Sequence, residues 1–198
     1  MAMATESMYH EGMRRLQDGN DSRRLADRLQ QLTLHAVFSE ADRAFVEASS
    51  MFFLATADSH GQPDCSYKGG LPGFVQVLAD DMLAFPDYDG NGMFRSLGNV
   101  LVNPAVGLLF IDFSKPKRLR INGQARVDEH DPLLEQFPGA QRMVRVQATH
   151  IFPNCPRYIH RLDLQEPSAF APRANYTPPV PQWKSWDALS DVLPRSDR

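Results

Sequence analysis

Hydrophobic and polar positions change rhythm at Met51, and that change divides the chain. Before it, Leu16, Leu25, Leu29 and Leu32 are spaced among charges at helical intervals, broken near Asp18-Gly19-Asn20-Asp21. Ser39 ahead of Glu40-Ala41-Asp42 predicts an N-cap with acids in the first turn, and a short helix to about Ala48. After Met51 the apolar runs are short and bounded by turn residues. MFFLATA, then DSHGQ, then 63–68 predicts strand, turn and strand. FVQVLA and MLAFP flank Asp80-Asp81, a two-residue hairpin by spacing.

Farther on, DYDGNG leads into MFRSLGNVLV, a glycine-containing loop followed by a helix that Asn103-Pro104 stops. Segments 106–113 and 118–127 predict a further hairpin, 130–142 a short helix with a loop, and 144–152 a last strand. Beyond Leu162 lie six prolines with Trp183 and Trp186, a tail expected to dock by its aromatics on the body or on a neighbour. Six or seven short strands joined mainly by tight turns predict a mainly β fold, an antiparallel barrel or sandwich with helices added at the start. The expected divisions are a helical extension at 1–37, a barrel domain at 38–162 and a tail at 163–198.

Composition narrows the class. At 198 residues, with 42% of residues hydrophobic and 23% charged, the chain is expected to bury one full core. A net charge of −3 argues against nucleic acid as a partner. No apolar stretch approaches the length of a membrane span, and the first residues lack the apolar segment of a secretory signal. Cys65 and Cys155 are too few for a disulfide framework and fit a reduced compartment, so a cytoplasmic location is expected.

Chemistry concentrates where the loop at 86–92 meets the mid-chain helix. Gly90 and Gly92 permit close backbone approach, and a helix start offers unpaired amides to an anion. Arg95 and Ser96 add a guanidinium fork and a hydroxyl, suited to a phosphate. The same residue types also fit an ordinary turn with a solvated arginine. Asp87, Asp89, Asn91 and Gly92 match the first half of a calcium loop, but Gly98 stands where the bidentate glutamate belongs. Cys155 and Arg161 have the spacing of a cysteine phosphatase, yet the insert PRYIH is bulky and lacks glycine. His150, Cys155 and His160 lack the companions of a zinc site. Arg118 and Arg120 share a strand face, either solvated or lining an anion groove. No P-loop, G-x-G-x-x-G, H-E-x-x-H or G-x-S-x-G occurs.

Taken in order, FLATADSHGQPDCSYKGG, MLAFPDYDGNGMFRSLGNVLVNP, AVGLLFIDF and RLRINGQARV resemble the pyridoxamine 5′-phosphate oxidase-like family of FMN-binding split β-barrels. The likeness is greatest to its predicted flavin-nucleotide-binding branch, and the NCPRY stretch at 154–158 shares it. It covers roughly 38–162. The resemblance implies a homodimer with FMN in grooves at the subunit interface, a small-molecule substrate, and NAD(P)H as one electron donor. It places the flavin phosphate at Ser66, Lys68, Arg95 and Ser96, and the ring against Tyr67, Gly69, Pro86 and Asp87. Asn91 joins the set from the glycine loop, Arg118 reaches the ring from the later hairpin, and Arg157 from near the C-terminus.

Three departures matter. The oxidases carry Arg where Ser66 stands and an Arg-Lys pair where this chain has Arg95-Ser96. They also end in an Arg-x-His segment without a counterpart in NYTPPVPQWKSWDAL. Vitamin B6 oxidation is therefore not the expected activity. The expected one is FMN-dependent oxidoreduction. The rival expectation is a non-catalytic module that stores or senses a flavin, a deazaflavin or haem, with His150 or His160 as axial candidates.

Overall fold

The structure is a computed structural model that describes residues 7–194. Helices α1 (Glu11–Gly19) and α2 (Arg23–Thr33) form a hairpin. It is held by Arg14 to Asp27 at 2.6 Å and by the Tyr9 hydroxyl donating to the Ala26 carbonyl at 3.0 Å. Neither helix buries a residue, and Leu16, Leu25, Leu29 and Leu32 stay exposed. Helix α3 (Glu40–Ala48) starts where the Ser39 signal places it. The Ser39 hydroxyl accepts from the Asp42 amide, and the Asp42 carboxylate accepts from the Ser39 amide, a reciprocal cap. Its Val46 is fully buried.

Seven strands follow: β1 (Met51–Ala57), β2 (Pro63–Gly69), β3 (Gln76–Ala79), β4 (Met82–Tyr88), β5 (Ala105–Asp112), β6 (Lys117–Asp128) and β7 (Ala140–Pro153). They form one antiparallel sheet in the order β2-β1-β5-β6-β7-β4-β3. Strands β1 and β4 are not neighbours in that order, yet the Phe52 and Phe85 rings meet edge to face at 5.0 Å, with Phe110 stacked on Phe52 at 5.0 Å. The sheet therefore curls round a shared core, and the fold is mainly β, a split barrel. Burial alternates along β6, with Leu119 and Ile121 buried and Arg120 and Asn122 exposed, as a half-wetted sheet requires.

Helix α4 (Arg95–Val102) interrupts the meander after β4. Leu97 and Val100 are buried, and Asn99 donates to the Thr56 hydroxyl of β1 at 3.0 Å. Asn103 donates to the Asp58 carbonyl at 3.3 Å. These contacts fix the helix against the β1–β2 hairpin and bring its first turn beside β2.

The segment expected as a short helix with a loop holds a 3₁₀ turn at Pro132–Gln136, and β7 begins at Ala140, before the predicted position. Gly139, at φ +79°, makes the turn that lets the strand start there. Past β7 the tail docks by Ala171, which is buried, and by Lys184 on Asp89 at 2.8 Å. Of the two tryptophans expected to anchor it, Trp183 is half-buried and Trp186 is exposed. No described helix is long and apolar enough to cross a membrane.

Candidate functional site

Strand β2 has period 2, so Asp64, Ser66 and Lys68 share one half-buried face while Cys65 and Tyr67 are the more exposed residues between them. That face looks onto the first turn of α4. No side chain caps α4, and Arg95, Ser96 and Leu97 line the same cleft as the β2 residues. At their meeting point two donors converge on one carboxylate, with a third hydroxyl-bearing residue behind them. Arg95 Nε lies 3.1 Å from Asp64 Oδ1, and Ser96 Oγ lies 3.0 Å from Asp64 Oδ2 and 2.9 Å from Ser66 Oγ. A carboxylate only accepts, so the protons run in one direction, from Ser66 to Ser96 to Asp64. The Arg95 guanidinium, and after it the Ser96 hydroxyl, hold the Asp64 carboxyl below the usual carboxylate range.

The opposite wall is the end of β4 and the loop behind it: Pro86, Asp87, Tyr88 and the residues from Asp89 to Phe94. Asn91 closes the loop by accepting from the Met93 amide at 3.0 Å. Phe94 enters α4 with φ +48°, a left-handed conformation costly for an aromatic residue, and sits beneath the Arg142 guanidinium at 4.8 Å. Arg142 also bridges Glu129 at 2.9 Å and Asp87 at 3.4 Å. Burial pushes the Lys68 amine down, against the pull of Asp87 and Asp64. Burial likewise pushes the Asp87 carboxyl up, against Lys68 and Arg142. The two groups offset each other's charge across the cleft.

The cleft has a volume of about 450 Å³. Pockets that take a drug-sized ligand run from roughly 300 to 1,000 Å³, so the cleft can hold a mononucleotide-sized molecule. Ser66, Tyr67, Lys68 and Gly69 line it from β2. Pro86, Asp87 and Asn91 line it from β4 and the loop, and Arg95 and Ser96 from α4. Arg118 and Arg157 do not line it. Arg118 lies on β6 opposite Ile111, its Nε buried without a hydrogen-bond partner. Arg157 is exposed beside Cys155, whose thiol is lowered first by hydrogen bonds from Arg157 and then by the charges of Arg157 and Arg118. His150 bonds with Thr149 at 3.1 Å, and neither it nor His160 faces the cleft. Asp87 and Asp89 of the partial calcium pattern are engaged by Arg142 and Lys184.

Sequence reasoning missed Asp64, Tyr88, Phe94 and Arg142. Asp64 was within reach, because the alternation that selects Ser66 and Lys68 selects it too. Arg142 was not, since its place over Phe94 depends on the pairing of β4 with β7.

A family model described as pyridoxamine 5′-phosphate oxidase matches residues 38–171. No curated protein matches the sequence. Among solved structures, a putative pyridoxamine 5′-phosphate oxidase from Lactobacillus delbrueckii is 20% identical, with 60% of this chain and 95% of that one covered at a TM-score of 0.49. An FMN-binding protein from Syntrophomonas wolfei is 13% identical, covering 71% and 97% at 0.43. HutZ, the haem storage protein from Vibrio cholerae, is 22% identical, covering 52% and 84% at 0.40. The family match spans every strand and the helix that build the cleft, and the chain belongs to the pyridoxamine 5′-phosphate oxidase family.

Proposed function

We propose that the protein is an FMN-binding oxidoreductase acting on a small molecule, and that it works as a homodimer. The observation that carries this reading is the anion already held in the cleft, the Asp64 carboxylate on Arg95 and Ser96. A corner with a guanidinium and a hydroxyl on one carboxylate, a second hydroxyl behind them and the first turn of a helix alongside has the donors a phosphate monoester needs. Lys68 adds a second cation on the same face, and the backbone of 67–69 and 86–87 forms the walls along which a ribityl chain and ring would lie.

Bound flavin supplies the electron and hydride chemistry itself. The chain's own residues bind and orient it. Arg95, Ser96 and Ser66 hold the phosphate end, and the Lys68–Asp87 pair keeps the middle of the cleft near neutral. Arg142 braces the loop wall through Asp87 and Phe94. Arg118 and Arg157 lie outside the cleft of their own protomer, and in the homodimer they serve the partner's site. The exposed Met93, Phe94, Leu101 and Val102, beside the cleft and along α4, supply apolar surface for that association.

Flavin fluorescence quenching tests the reading. The protein is expected to bind FMN, and Arg95→Ala to weaken binding by roughly tenfold to a hundredfold, the loss of one charge-assisted hydrogen bond. Equal FMN affinity in parent and Arg95→Ala would sink the phosphate assignment. Anaerobic NAD(P)H separates an oxidoreductase from a storage module: the flavin band bleaches only in the former.

A further inference from the structure

The anion corner is filled by this chain's own carboxylate. Asp64 sits on the cleft face of β2 with its side chain 15% exposed, while that of Arg95 is 63% exposed. The carboxylate is thus the deeper member of the pair, and both of its oxygens are engaged, one by Arg95 and one by Ser96. Ser66, the remaining hydroxyl of the corner, reaches it only through Ser96. A phosphate monoester in the same corner needs the same donors and brings negative charge to within a few ångströms of Asp64. Held by Arg95 and Ser96, the Asp64 carboxyl lies below the usual carboxylate range, so an arriving phosphate meets a charged group.

We propose that Asp64 is a built-in competitor for the phosphate, so that it sets how strongly the cleft prefers a phosphorylated ligand over its unphosphorylated counterpart. Binding of a phosphate requires Asp64 to release Arg95 and Ser96, and each release lowers net affinity. This rests on the flavin reading only for the ligand's identity, since the competition itself concerns any phosphate monoester. One consequence is exchangeable cofactor: a corner with its own carboxylate holds FMN less tightly than the same corner without it.

The test compares the parent with Asp64→Asn and Asp64→Ser, each checked by thermal unfolding, in titrations with FMN, riboflavin and inorganic phosphate. Asp64→Asn keeps the shape and removes the charge, and Asp64→Ser empties the corner. Both are expected to tighten FMN relative to riboflavin by about tenfold or more, the effect of removing one nearby like charge from a partly wetted site. Both are also expected to gain thermal protection by inorganic phosphate beyond that of the parent. An unchanged ratio of FMN to riboflavin affinity overturns the proposal. So does weaker FMN binding in both variants, as in Arg95→Ala, which makes Asp64 a positioning residue for Arg95. If no variant binds either flavin but phosphate protects the two variants more than the parent, the competition stands and the flavin reading fails. If phosphate protects all three alike, the competition fails.

Discussion

At the scale of single residues, Asp131 shows what a short sequence motif hides. It is 2% exposed and accepts from Arg145 Nε at 2.5 Å, Arg145 Nη2 at 2.8 Å and the Leu133 amide at 2.9 Å. The arginine fork ties β7 to the 3₁₀ turn before it, and the amide bond caps that turn. Asp131→Ala leaves a partly buried guanidinium without its anion and is expected to cost about 3 kcal/mol in urea unfolding. The Arg145 guanidinium holds the Asp131 carboxyl below its ordinary value. A carboxyl lower in the folded than in the unfolded chain stabilises above the unfolded value, and that contribution is lost as pH falls through the folded one. Stability followed downward from neutrality is therefore expected to fall below about pH 4 in the parent. Asp131→Asn is expected to start lower and show a shallower acid limb, and parallel limbs would assign the acid loss to other groups. The Arg145 contact is not legible locally, because the sequence reads 130–142 only as a short helix with a loop and the partner of Asp131 lies on the next strand. Asp64 was legible by strand alternation.

At the scale of elements, the hairpins and caps were read from short-range signals and stand where those signals put them. The two-residue Asp80-Asp81 turn, the Ser39 cap and the Asn103-Pro104 stop act within a few residues, which is why sequence carries them. The irregularity between β6 and β7 is different. The register shifts between Asn122 and Gly123, and a Cβ on Gly123 would run into the carbonyl oxygen of Gln147, a backbone atom of the neighbouring strand. Glycine is needed there for the close approach of another strand, a requirement invisible until the pairing is known. Gly123→Ala must displace a ladder strand and is expected to cost roughly 1–3 kcal/mol, the range of overpacking in a tight interior. Gly90→Ala, where a Cβ meets nothing within 4 Å, serves as the control and is expected to melt with the parent. Equal melting of all three would show that the two strands part at Gly123 with ease.

At the scale of the whole molecule, the cations expected at one site fall into two groups. Lys68 and Arg95 line the cleft, whereas Arg118 and Arg157 cluster by Cys155. A sequence motif lists residues without saying which copy of the chain presents them, so this division could not be read in advance. If each flavin site draws its phosphate donors from one subunit and Arg118 from the other, the two kinds of defect must complement. Arg95→Ala and Arg118→Ala homodimers are each expected to bind FMN poorly. Refolded together from an equal mixture, half of the dimers pair one of each. In such a heterodimer, the cleft of the Arg118→Ala subunit keeps its own Arg95 and faces an intact Arg118 on its partner. About a quarter of all sites should then regain parental affinity, the fraction set by random pairing in a two-fold dimer. Stoichiometric titration of the mixture reads that fraction directly. A mixture that binds no better than its parts would place Arg118 outside the partner's site, and the cleft would be complete within one chain.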